Sequence, residues 1–330
     1  MKRLVRVSFF NSNRKLRGRR SKGLAPKSVT QAAKLTARAQ LESNEPEPIS
    51  PAQALLKNII GVALALVVLF IVNLLFFSQL FNMVEQTRLR SQFADQLKLS
   101  TAPTSEVSFD KVVLAQGAPV AIIQIKQLGI NAVVVEGTDS SSLRSGPGHR
   151  RDTVLPGQQG ASVIMGRASA YGGPFANLQA LPTGAKFKVI TAQGVQIFKS
   201  LGVRYAGDYS LPPIQAGQSR LVLLTARGGP YNPQGIARLD AELVSAVQPA
   251  GIRITTFANV PVEDREFGFD LRYGWALVLA LQFLLAVEIA AVWCARRFGA
   301  RGTYLVFTPL LLWAAILVMD QTTRLLPNLL

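Results

Sequence analysis

The chain holds one cysteine, Cys294, and one histidine, His149, so thiol-imidazole chemistry could draw only on these two groups. A thiol attacks as the thiolate and needs a nearby base or cation to hold it ionised. Cys294 follows a long apolar run and lies far along the chain from His149. The more deliberate layout is "LVLLTARGGPYNPQGIAR" (221–238), where an apolar strand brings Thr225 and Ala226 to a glycine-rich loop and the chain returns through Arg238. Alternation along a strand turns Thr225 and Ala226 to opposite faces, and a methyl group attacks nothing. A second layout, "VIMG" (163–166), ends on Arg167, whose guanidinium is protonated at neutral pH and carries no proton back and forth. Arg167, Arg238, Tyr231 and Thr225 are candidate binding residues. One reading makes the two arginines a clamp for a carboxylate on a peptide, a partner loop or an acidic polymer. The plainer reading pairs Arg238 with Asp240 and turns Arg167 into solvent. No cofactor or metal is expected.

The elements that must position these residues are short and β-rich. Strands are expected at 119–125, 131–137, 161–166, 186–191, 195–200, 220–225 and 237–244, with a possible addition at "RITTF" (253–257). "TAQG" (191–194) has hairpin-turn composition, and "RGGPYNPQG" (227–235) reads as a long loop anchored by Tyr231. Seven or more short strands over 117–258, several of them continuously apolar, point to a closed barrel.

Three apolar runs, 58–81, 273–293 and 303–319, approach or exceed the ~20 residues that cross a hydrocarbon core of ~30 Å. The first follows a long polar segment and reads as a retained anchor. The segment 82–98 continues it as an amphipathic stalk carrying Leu89, Phe93 and Leu97, followed by a Ser/Thr/Pro linker to 116. Arginines and lysines crowd 1–57, and Arg296, Arg297 and Arg301 fill the loop 294–302. The positive-inside rule places both in the cytoplasm, with the barrel outside, a linker at 259–272 and an external tail at 320–330. The net charge of +17 is thus concentrated in the N-terminal tail, which is expected to be disordered and to meet anionic lipid headgroups. It lacks the aromatic interleaving of a nucleic-acid surface. Glu288 lies inside the second apolar run, where a carboxylate is costly and seeks a partner. Asn73, Gln282 and a neighbouring membrane protein are the options.

An ordered series of blocks gives the barrel a family resemblance: "EGT" (136–138), "GPGH" (146–149), "LPGQQG" (155–160), "VIMG", "YGGPFANL" (171–178), "TAQG" and the final strand-loop-strand. Over about 117–247 the chain resembles the sortases, most nearly the actinobacterial class E/F type. The resemblance implies an eight-stranded β-barrel that works as a cysteine transpeptidase, with cysteine, histidine and arginine at positions 226, 167 and 238. Here those positions hold Ala226, Arg167 and Arg238. His149 matches a family histidine outside the catalytic trio. The expectation is a degenerate, catalytically inactive sortase acting as a binding, assembly or accessory subunit of a cell-envelope membrane complex, with an extended peptide or anionic ligand possible in the groove. The alternatives are turnover by non-standard residues, or an envelope lipid- or glycan-binding protein.

Overall fold

The computed structural model describes residues 50–330 apart from 109 and 111. The basic segment 1–49, with its lipid expectation, lies outside the described residues. Pro51 opens helix α1 (Pro51–Val72) in the first turn, where a missing N–H costs no intrahelical hydrogen bond. The helix widens into a π turn (Asn73–Phe77) and continues as α2 (Ser78–Lys98). Two further helices follow the barrel, α4 (Gly274–Phe298) and α5 (Ala300–Arg324). Three stretches, Ile59–Lys98, Leu271–Phe298 and Arg301–Arg324, are long and apolar enough to cross a membrane.

Between them lie strands β1 (Pro119–Ile125), β2 (Ile130–Glu136), β3 (Gly148–His149), β4 (Gly160–Met165), β5 (Lys186–Thr191), β6 (Gly194–Arg204), β7 (Ser219–Gly229) and β8 (Asn232–Leu243), with a one-turn helix α3 (Ser142–Ser145) before β3. They close a barrel in the order β1-β2-β3-β4-β7-β8-β6-β5. Two pairings are parallel, β2 with β3 and β4 with β7; the rest are antiparallel. Inward residues, among them Ile123, Ile125, Ile164, Phe198, Leu221, Leu223 and Leu239, fill the core. Closure removes the sheet edges that an open set of strands would expose.

Four expectations are corrected here. "RITTF" is not a strand: the N–H groups of Ile254 and Thr255 both donate to the Glu106 carboxylate, at 2.9 and 3.2 Å. The eighth strand is instead the two-residue β3. The long loop at 227–235 is a tight hairpin, with β7 running to Gly229 and β8 starting at Asn232; Tyr231 takes a positive φ of 59° at the turn. And α5 runs to Arg324, after which Asn328 and Leu329 are fully buried, so 320–330 is not a free tail.

The stalk also lies against the barrel. Leu89 and Phe93 are buried, and Leu89 packs with Ile122, Val133 and Val135. At this point the Gln86 amide accepts the Val133 N–H at 2.7 Å and donates to the Val133 carbonyl at 3.1 Å and the Ser145 carbonyl at 2.7 Å.

Candidate functional site

The parallel β4/β7 pair forms the floor of the site. Its residues alternate between the core and an outer face where Val163, Met165, Leu224 and Ala226 cluster with Leu143 and Leu329. Ala226 stands opposite Ile236 on β8 and is 5% exposed. Thr225 points the other way, into the barrel, fully buried with no hydrogen-bond partner for its hydroxyl. It is therefore a core residue, and the expectation that it binds a ligand is corrected.

Arg167 follows β4 directly. A Cβ on the preceding Gly166 would meet the Phe175 ring at 2.4 Å, so only glycine fits where the chain leaves the strand. The Arg167 side chain is fully buried, against the expectation of a solvent-facing cation. Its Nη1 donates to the Leu330 carbonyl at 2.9 Å, and its Nη2 to the Ser140 carbonyl at 3.0 Å and hydroxyl at 2.8 Å. The guanidinium also lies over the Tyr171 ring, 5.2 Å from its centroid. Burial, reinforced by the neighbouring Arg144 cation, lowers its pKa to about 10. It remains a cation at neutral pH, compensated by carbonyl dipoles and a π face.

The ion pair expected between Arg238 and Asp240 is not made. Arg238, opposite Leu224 in register, is exposed, with no ion pair among the described residues. Asp240 is buried and takes Arg204 instead, Nε to Oδ2 at 2.5 Å. Register explains the exchange: Arg204 on β6 stands directly across from Arg238, with Asp240 two residues along the same strand face. Tyr231 does anchor the hairpin: its N–H donates to Ser169 Oγ at 3.4 Å and its hydroxyl to the Leu74 carbonyl in the π turn at 3.5 Å. Burial raises the pKa of that hydroxyl, with the Arg167 cation opposing.

His149 sits elsewhere, buried between the Glu136 carboxylate (Nδ1 to Oε2, 2.9 Å) and the Val154 carbonyl (Nε2 to O, 2.9 Å). Burial lowers its pKa, but the Glu136 charge and the hydrogen bonds to Glu136 and Val154 outweigh that and raise it overall. With acceptors at both nitrogens, the ring fits a structural cation. Glu288 is half-buried on α4 and makes no hydrogen bond or ion pair among the described residues, so the expected pairing with Asn73 or Gln282 is not made.

Several residues around this floor went unnoticed in the sequence. Arg144 is buried beside Phe81 and Tyr171, its guanidinium 4.8 and 5.0 Å from the two rings, and pairs with Asp320 of α5 at 2.5 Å. The Tyr171 hydroxyl donates to Thr323 Oγ1 at 2.8 Å. Leu329 lies over the floor, and Asn328 is buried beside it against Thr138, Glu263, Arg265 and Gly268. The legible signal was parity: "VIM" and "LVLLTA" are apolar on both faces, which requires a cover outside the barrel as well as a core within.

A closed eight-stranded barrel whose outer site faces helices of membrane-spanning length defines the class of this protein. Residues 123–234 match the family model for the sortase domain. The match covers the barrel from β1 to the start of β8, so a sortase domain is what this part of the chain carries. Among solved structures it is similar to the Clostridium perfringens sortase D5 transpeptidase (17% identity over 49% of this chain and 99% of that one, TM-score 0.40). It is also similar to sortase E1 from Streptomyces coelicolor with a tripeptide in the active site (18% identity, 40% and 92%, TM-score 0.34) and to the SrtA sortase from Actinomyces oris (23%, 40% and 83%, TM-score 0.36). No curated protein matches the chain.

Proposed function

We propose that this chain is a catalytically inactive sortase-like membrane protein that serves as a binding or assembly subunit of a cell-envelope complex, its barrel on the outer side of the cytoplasmic membrane. The observation that carries this reading is the chemistry of the floor. The nucleophile position holds a methyl group packed under Leu329, and the acid/base position holds a buried arginine whose Nη donors go to the chain's own carbonyls and hydroxyl. Acyl transfer needs a nucleophile and a proton carrier, and these residues supply neither. Ser169 and Thr225 do not substitute: Ser169 accepts from the Tyr231 backbone, and Thr225 faces the core.

Glu288 supports the subunit role. A carboxyl group in a membrane-spanning helix is costly and conventionally meets a polar or cationic group on a packed neighbour. With no partner for it among the described residues, a donor on another membrane protein fits the requirement.

The test is gentle detergent extraction from the native membrane, with stoichiometry of co-purifying proteins by mass spectrometry. A partner at near-equal ratio that is lost on Glu288→Leu is expected. A protein that elutes alone, or that turns over a peptide substrate with accumulation of an acyl adduct, would overturn the reading.

A further inference from the structure

The outer face of β4/β7 is apolar and would cost about 25 cal/mol for every Å² left in water. What covers it is specific. Leu329 is fully buried against Ala226, Met165 and Leu224, and the Leu329 carbonyl accepts the Ala168 N–H at 3.0 Å, just beyond the end of β4. The neighbouring Leu330 carbonyl accepts from Arg167, and the Leu326 carbonyl from Ser140 Oγ at 3.3 Å. Asn328 is fully buried: its N–H donates to the Gly268 carbonyl at 3.2 Å, and its side-chain Nδ2 to the carbonyls of Thr138, Arg265 and Glu263 at 2.7, 2.8 and 3.3 Å.

We infer that the chain's own segment 326–330 acts as a tethered ligand that closes the outer face of β4/β7 to peptides supplied by other proteins. Backbone is recognised by the Ala168 N–H, Ser140 Oγ and Arg167. Side-chain identity is read at two places: an apolar floor over Ala226 takes a leucine, and a ring of three carbonyls takes an amide. The ring is selective because a primary amide brings two N–H donors, whereas an ionised aspartate of the same shape has none and would face three carbonyl oxygens. The ligand class is therefore an apolar peptide carrying Asn-Leu in sequence. Any peptide supplied by another protein must displace this strap or dock elsewhere. The inference does not depend on the assembly role proposed above.

The test uses the full chain in detergent with Ala226→Cys and Cys294→Ser, so that the single thiol lies beneath Leu329. Alkylation of that thiol by iodoacetamide is expected to be slow. Asn328→Asp, or removal of residues 326–330, is expected to accelerate it at least ten-fold while circular dichroism shows the barrel folded. If removal of the segment unfolds the chain, Leu329→Gly takes its place. A synthetic Leu-Leu-Pro-Asn-Leu-Leu peptide added to the variant lacking 326–330 is expected to slow alkylation again, and the same peptide with Asp for Asn is not. Equal alkylation rates with and without the segment, or no distinction between the two peptides, would overturn the inference. Thiol access is independent of partner binding, so this outcome leaves the co-purification result to stand on its own.

Discussion

At the scale of single residues, Arg167 decides how the site reads. Three donated hydrogen bonds and the Tyr171 ring make it a structural cation, and Ser140 and Leu330 depend on it in turn. Arg167→Met keeps the length and removes the donors. It is expected to lower stability by about 2–4 kcal/mol, read as the unfolding midpoint of the detergent-solubilised chain, because charged hydrogen bonds are lost and carbonyls stay buried. Arg167→His is expected to restore no peptide turnover, since position 226 still lacks a thiol. Two further buried groups set the pH dependence. Burial, with the Asp139 charge beside it, raises the Asp264 pKa from the usual carboxylate value to about 6, against the Thr138 N–H and Arg151. His149 is also raised. A group whose folded pKa exceeds its unfolded one stabilises at low pH and loses that contribution as pH climbs through the folded value. The unfolding midpoint is therefore expected to fall between pH 4 and pH 8. Asp264→Asn should flatten the acidic part of the fall, worth at most ~3 kcal/mol for two pKa units. The sequence put a methyl group at 226 and a guanidinium at 167. It did not show that Arg167 is buried, because its acceptors lie 27 and 163 positions away along the chain.

At the scale of elements, β2 shows how a strand is finished by a helix. Beyond its two-residue pairing with β3 at Val135 and Glu136, β2 would show Val133 with an unpaired N–H and carbonyl on that side. The Gln86 amide pairs both, standing in for the missing strand, and ties in the Ser145 carbonyl as well. Gln86→Ala leaves these groups to compete for water at a half-buried seam. It is expected to cost about 1–3 kcal/mol and to speed amide exchange at Val133 more than in β7. The strands with alternating or continuous apolar runs were legible to within a few residues, because period-two burial writes itself into the sequence. What was not legible is what a single distant side chain decides. A two-residue strand has no periodicity to detect. "RITTF" has β-branched composition, but Glu106 satisfies its N–H groups before any strand can. The 227–235 hairpin looked like a loop because its glycines and prolines mask two strand ends that pair in register, Ala226 with Ile236 and Arg227 with Gly235.

At the scale of the whole molecule, the question is what joins the barrel to the helices that follow it. The join is polar, buried on the barrel side and half-buried on the helix side. Arg144, before β3, is 5% exposed at its side chain and meets Asp320 near the end of α5; Asp320 is also held by Arg324 at 3.1 Å. A buried cation that loses its carboxylate keeps its desolvation cost, whereas replacing the pair with apolar groups removes both the cost and the attraction. Asp320→Ala alone is therefore expected to destabilise the chain by about 3–5 kcal/mol, and Arg144→Met with Asp320→Leu by clearly less than the sum of the single changes. A coupling of roughly 1.5–3 kcal/mol in a double-mutant cycle would mark the pair as a direct bond between barrel and α5. Because residues 326–330 follow directly from α5, Asp320→Ala should also expose them, read as faster amide exchange at Leu329 and Leu330. Single changes that add to within about 0.5 kcal/mol, with no change in exchange at those residues, would mean that the strap holds itself and that the barrel is carried by α2 alone.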